Sequence, residues 1–271
     1  MMMLFAILVY PAFHTLASSF TVKLRGGGTA FSVENYIQLF DDRQFITTFW
    51  NTIRFVGISV ILHVVVGLGI AMMLSASIRG RRWFRVIAIL PWTIPDVSAA
   101  IVWKWIYNPI HGPLNDLLIR LGLMNYPMEW LSNPDLALPA VIFTNVWRGY
   151  PFTMLILLAG LQAIPQKLYE AASVDGANSV QKFLYITLPS LTKMFAVAFA
   201  LDTVWEFRRF GLVQVMTGGG PGSSTEILST LIYKQYFKFF NFEYAAAMAV
   251  FTTIIVLLIS IPYIQALLKE S

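Results

Sequence analysis

An all-α, polytopic membrane fold with about six spanning helices is predicted by three features of the sequence. Hydrophobic residues make up 57% and charged residues 12% of the 271 residues. The mean hydropathy of +0.67 lies far outside the range of a soluble domain of this size. The apolar residues also fall in runs of about 20, the length a helix needs to cross a hydrocarbon core. They do not alternate every second residue as barrel strands would, and in lipid only helices and closed barrels satisfy their own backbone groups.

In order, the runs cover about 1–19, 49–76, 84–107, 136–162, 191–216 and 243–266. The first contains Pro11 and His14 and begins at Met1 without the basic n-region of a signal peptide, so a retained helix is the expectation. The third carries Pro91 and Pro95, which should kink or break it and free backbone carbonyls. Trp103, Trp105 and Tyr107 at its outer end, and Tyr233, Tyr236, Phe237 and Phe239 just outside the sixth, occupy the positions of an interfacial aromatic belt. The absence of cysteine excludes disulfides and thiol-ligated metals.

The net charge of +5 reads as a topological signal. Arg79, Arg81, Arg82 and Arg85 crowd the connection between the second and third runs, which the positive-inside rule makes cytoplasmic. The loop with Lys167, Glu170 and Lys182 and both chain ends then face the same way. Outward loops at about 20–48, 108–135 and 217–242 hold half of the acids: Glu34, Asp41, Asp42, Asp116, Glu129, Asp135 and Glu226. A nucleic-acid surface would need a soluble basic face with stacking aromatics, which this chain lacks.

The loop after the fourth run is too polar for hydrocarbon. Pro165 can open a helix, since it has no N–H to lose in the first turn, and Gln166 to Ser173 are mostly good helix formers. Gly176 should close that helix in the left-handed conformation, and Asn178 with Gln181 reads as an N-cap and capping box. A second short helix should run to about Leu188, where Pro189 stops it. Ala171, Ala172 and Ala177 keep one surface shallow for another protein's backbone, while Glu170 and Asp175 supply charge that fixes register. A loop lying on lipid headgroups is the competing reading, although it would favour lysines and bulky apolar residues.

Glu170-Ala171-Ala172, Asp175-Gly176-Ala177, Phe183, Ile186 and Leu188-Pro189 resemble the EAA loop of permease subunits in bacterial ABC importers. Met216-Thr217-Gly218-Gly219-Gly220-Pro221-Gly222 and Tyr244-Ala245-Ala246-Ala247 are similar to the maltose-type, carbohydrate-uptake branch, a similarity running from about the second run onward. The family often has a second proline four residues after the first, where this sequence has Lys193; that bears on the start of the fifth run.

The resemblance implies a type I ABC importer-like fold in a single permease domain over 1–271, with its core at 49–266 and a coupling loop at about 165–190. It implies that Glu170, Ala171, Ala172, Asp175, Gly176 and Ala177 seat in a groove of a cytoplasmic ATPase, with Gly176 at the tip and Glu170 meeting a basic residue. The implied partners are a second permease subunit, related but different; two copies of the ATPase; an external substrate-binding protein; and membrane lipid. The implied location is a bacterial or archaeal inner membrane.

The chain is not expected to power itself. It has no G-x-x-x-x-G-K-[ST] loop, and the run Gly218 to Gly222 is followed by Ser223-Ser224-Thr225 without a lysine, so it reads as an outward-facing turn. No cofactor is expected on this chain, ATP and Mg being implied for the partner ATPase. A gradient-coupled secondary carrier is the alternative. It would usually show internal repeats, of which none is convincing, and intramembrane charges, which are present. A membrane-embedded transferase acting on lipid-linked sugar is a third reading, with Asp41-Asp42 as its candidate pair, although a solvated cluster or helix cap explains them more simply. No nucleophile–histidine–acid set or metal cluster is evident, so no catalytic or metal-binding residue is expected.

Counted inward from the outer end of its own run, each of Asp96, Trp147-Arg148, Trp205-Glu206 and Thr252-Thr253 falls about 11 residues, or roughly 16 Å, deep. Polar groups sharing one level suggest a passage, because they are costly in lipid. Asp96, Asn145, Arg148, Glu206 and Thr252 could meet the hydroxyls of a polyol, and Trp147, Tyr150 or Trp205 could stack on its flat face. Alternatively, Arg148 and Glu206 only pair with each other to join the fourth and fifth spans. Asn51, His63 and His111 read as isolated, without a second ligand at metal spacing, and Arg208 and Arg209 as snorkelling or partner-contacting groups near the outer surface.

Overall fold

Each long apolar run is helical because a helix satisfies its backbone groups within the segment, and each ends where proline, glycine or polar residues intervene. The computed structural model describes residues 2–23, 28–76 and 79–269. The chain begins with α1 (Met2–Ser19), an antiparallel pair β1 (Thr21–Lys23) and β2 (Thr29–Phe31), α2 (Glu34–Asp41) and α3 (Arg43–Ser75). It continues with α4 (Arg81–Thr93), α5 (Asp96–Ile106), α6 (Pro113–Arg120), α7 (Pro134–Ala163), α8 (Gln166–Val174) and α9 (Ser179–Lys182). A π-helical turn (Phe183–Thr187) leads to α10 (Leu188–Ser190), α11 (Thr192–Phe207), α12 (Gly211–Met216) and α13 (Leu228–Tyr233). A second π-helical turn (Lys234–Lys238) precedes α14 (Phe242–Lys269).

Among the described residues, α3, α7 and α14 are long and apolar enough to cross a membrane. Two bent pairs also qualify when each is taken as one span: α4 with α5, bent by 97°, and Ser179–Ser190 with α11, bent by 62°. The first predicted run is helical as α1, although Met1, like residues 270 and 271 at the other end, lies outside the described residues.

The third span breaks where proline chemistry requires. Ile94 is extended (ψ 128°), as a residue before proline prefers, and Pro91 stays within α4. The fifth run, read as one helix over 191–216, is corrected: α11 stops at Phe207, and Phe210 (φ −124°, ψ −59°) turns the chain before α12. The Arg209 carbonyl, which a continuous helix would use internally, accepts instead from Ser229 Oγ at 2.5 Å.

Two compact units emerge from the internal contacts. The first, Met1–Phe55, Ala100–Val141 and Phe207–Leu258, has a core of Leu39, Phe45, Leu228, Leu231, Tyr244, Ala247 and Met248. Here the glycine-rich turn is pinned. Thr225 Oγ1 donates to the Gly220 carbonyl at 2.7 Å, Asn51 Nδ2 donates to the Ser223 carbonyl at 2.9 Å, and buried Glu226 pairs with Lys234 at 2.7 Å. Asp42 caps α3 by accepting from the Gln44 amide at 2.8 Å and from Tyr244 Oη at 2.7 Å. Tyr107 is not an interfacial anchor: it is buried and donates to the Ala140 carbonyl at 3.1 Å.

The second unit, Val56–Ala99, Ile142–Glu206 and Ile259–Ser271, has a core of Ala71, Leu74, Ala88, Met154, Leu157, Leu158, Leu161 and Leu191. Small residues let its helices approach closely, which favours helix association in lipid. A Cβ on Gly67 would lie 2.9 Å from the Met154 backbone nitrogen.

Candidate functional site

Three helices of the second unit turn polar side chains into its interior. Asn145, Arg148, Gly149 and Phe152 recur on α7 at three- and four-residue spacing and so share a face. Asp202, Trp205 and Glu206 do the same on α11, as do Ser59 and His63 on α3. His63 is fully buried, with Nδ1 2.7 Å from Asp202 Oδ2 and Nε2 3.3 Å from the Asn145 carbonyl oxygen. Asn145 Nδ2 donates to Glu206 Oε2 at 2.6 Å and to Ser59 Oγ at 3.1 Å.

The reading of His63 as isolated is therefore corrected, because packing joins it to a carboxylate 139 positions away. Ligand atoms of His63, Asp202 and Glu206 lie within 4.8 Å of one another. The His63–Asp202 and Asn145–Glu206 hydrogen bonds already engage them, which makes the cluster a self-paired polar core. Gly149 provides the space, since a Cβ there would collide with the His63 ring.

Arg148 reaches the break in the third span. Its Nε lies 2.8 Å from Asp96 Oδ1 and donates to the Ile94 carbonyl at 3.1 Å, a carbonyl left over because Pro95 interrupts the helix. Rings line up nearby, Trp205 on Phe152 at 4.4 Å between centroids and Phe152 on Trp92 at 6.1 Å. Trp205 remains 40% exposed, which leaves a face for another group. Tyr150 Oη donates to the Ala88 carbonyl at 3.0 Å and so ties α7 to α4, and Trp147 is half-buried beside the stripe.

Thr252 belongs to the first unit, where its Oγ1 donates to the Met248 carbonyl of its own helix at 2.7 Å. The common depth also loses one support, because the count to Trp205 and Glu206 from residue 216 runs through the interruption after Phe207. Sequence reasoning missed Asp202 and Phe152. Each sits about one turn from a candidate, Asp202 four residues before Glu206 and Phe152 four after Arg148, and helical spacing could have found both.

The loop with Glu170 folds as a helix-turn-helix knob. Pro165 sits at the N-cap of α8, and Gly176 closes that helix at φ +79°, with Ala177 N donating to the Ala172 carbonyl at 2.8 Å. Asn178 and Gln181 form the reciprocal capping box, at 2.9 and 2.8 Å. Lys182 Nζ donates to Ser173 Oγ at 2.7 Å, and Tyr169 Oη lies 2.9 Å from Thr187 Oγ1, so the two helices hold each other. The helical path continues through Pro189 to Ser190, two residues beyond the expected stop, because proline is tolerated in the first turn of α10. Glu170 is exposed, and Val174, Val180 and Tyr185 expose 88%, 65% and 78% of their surfaces, leaving an apolar, charge-marked surface without cover.

Residues 63–269 match the family described as binding-protein-dependent transport system inner membrane component. The trehalose/maltose transport system permease protein MalF of Thermococcus litoralis is 37% identical over 233 residues, 86% of this chain and 78% of that protein. The sulfoquinovosyl glycerol transport system permease protein SmoG of Agrobacterium fabrum is 36% identical over 247 residues, 90% and 80% of the two chains. A bacterial ABC transporter involved in the import of the acidic polysaccharide alginate superposes with a TM-score of 0.85 at 25% identity, over 99% of this chain and 92% of that one. These likenesses give no support to a gradient-coupled carrier or a transferase. The chain belongs to the binding-protein-dependent transport system inner membrane components and is a non-enzymatic permease subunit of an ABC importer.

Proposed function

We propose that this permease lines the passage of a sugar or related polyol and takes its driving force from a cytoplasmic ATPase through the α8–α9 knob. The observation that carries the substrate reading is the mixed lining inside the second unit. Asp96 and Arg148 offer partly accessible hydrogen-bonding groups beside the exposed Trp205 ring, the combination that binds hydroxyls and an apolar sugar face together, and the buried Asn145–Glu206 pair backs them from within. The carbohydrate names of the similar proteins support the same class. Trp147, Tyr150 and Thr252 stay candidates for the walls of the path.

Glu170, Ala171, Ala172, Asp175, Gly176 and Ala177 are the proposed contact with the ATPase, whose two copies hold ATP and Mg. A related but different second permease completes the path, and an external binding protein delivers the cargo. The chain acts as one permease domain in a bacterial or archaeal inner membrane, with both ends cytoplasmic. Uptake of labelled sugars by the complete assembly tests the substrate class. Trp205→Ala should raise the half-saturating concentration about tenfold, the loss of one ring stacking, while basal ATP hydrolysis persists. Unchanged sugar uptake in that variant would overturn the reading.

A further inference from the structure

Arg79, Arg81, Arg82 and Arg85 meet at the start of α4, where three local arrangements are unfavourable for the chain alone. Gly80 (φ 81°) supplies no capping side chain and the first turn has no acid, so the free N–H groups of this helix start lack the side-chain acceptor that usually satisfies them, in a turn rich in arginine. Arg81 and Arg85 stand four residues apart, where like charges repel. Arg81 Nε and Arg85 Nε are buried yet have no hydrogen-bond partner among the described residues. One ligand answers all three: an anion with several acceptor oxygens, such as a phosphate diester.

The rest of α4 indicates where that anion comes from. Trp83 and Phe84 are 73% and 56% exposed, and Trp83, Val86, Ile87 and Leu90 form a continuous exposed stripe at helical spacing. Such a stripe calls for an apolar cover, which acyl chains provide and free phosphate or an acidic protein surface does not. Basic residues, interfacial aromatics and an apolar stripe in succession match a phospholipid from headgroup to acyl chain. We infer that α4 binds an anionic phospholipid, its phosphate held by Arg81 and Arg85 with Arg79 and Arg82 at the rim. Trp83 and Phe84 sit at the glycerol level and the acyl chains run along Val86, Ile87 and Leu90.

The test is native mass spectrometry of the full chain in micelles containing equimolar phosphatidylglycerol and phosphatidylcholine. The protein should retain phosphatidylglycerol preferentially. The double variant R81Q/R85Q should lower that preference about 25-fold, about fivefold for each arginine, equivalent to about 1 kcal/mol per basic group near a charged surface. Arg120→Gln, which removes an exposed arginine outside this region, should change nothing. The variant W83A/F84A keeps all four charges and should weaken retention of both lipids, which separates lipid binding from misfolding of the glutamine variant. Equal retention of the two lipids would overturn the inference, as would displacement of the lipid by inorganic phosphate at equal concentration. So would a glutamine variant that keeps its lipid but loses a co-purifying ATPase, which would make the patch a protein contact.

Discussion

Gly149→Ala places a methyl group where the His63 ring lies. The imidazole cannot retreat without lengthening its 2.7 Å contact with Asp202 and its 3.3 Å contact with the Asn145 carbonyl. Overpacking costs about 1–3 kcal/mol and a lost hydrogen bond to a charged group about 1.5–3 kcal/mol, so the combined penalty is about 3–5 kcal/mol. Gly57 is the control. A Cβ there meets nothing within 4 Å, and alanine should gain about 0.5–1 kcal/mol from helix propensity. The assay is the thermal unfolding midpoint of the purified chain, measured for Gly149→Ala, His63→Ala and the double variant. Removing the ring should make alanine at 149 nearly harmless, so the two changes should be strongly non-additive. A Gly149→Ala protein as stable as Gly57→Ala, or one equally damaged with and without the ring, would refute the packing argument.

Three further outcomes follow from the same geometry. Glu170→Lys should abolish uptake while ATP hydrolysis by the assembly continues; normal uptake would remove the docking role of the knob. Asn178→Ala should cost about 1 kcal/mol and raise hydrogen exchange from 178 to 190, with Asn178→Asp restoring protection; unaltered exchange would mean that the cap does not hold the second helix. Asp96→Asn should cost about 3 kcal/mol by leaving Arg148 less compensated, and Asp96→Asn with Arg148→Gln should cost less than the sum of the two. Strict additivity in unfolding experiments would show that the pair is not coupled.

The spans and the knob were legible because their causes are local. Apolar run length, Pro95 at the break, Gly176 at the left-handed position and the Asn178–Gln181 spacing all act within a few residues. The interior cluster was only half legible. Asn145, Arg148 and Glu206 stand out as polar residues in apolar helices, but the choice of Asp202 for His63 and of Asp96 for Arg148 depends on which helix faces touch. The stop after Phe207 was hidden for another reason. Phe210, Leu212, Val213, Val215 and Met216 prolong the apolar run past the paired arginines, and the interruption accompanies a hydrogen bond to Arg209 from Ser229, 20 positions away.

The π-helical turn at Phe183–Thr187 gives the knob a fixed phase. Such a turn accommodates one residue more than an α turn, so side chains on its two sides are offset by about 100° from a regular helix. Val180 before it and Leu188 after it point where they do only because that extra residue is present. Deleting Leu184 or Tyr185, neither of which is a recognised letter, would keep every recognisable letter of the loop and rotate those on one side of the turn away from their target. Spelling alone would pass such a sequence as competent; the angular count would not.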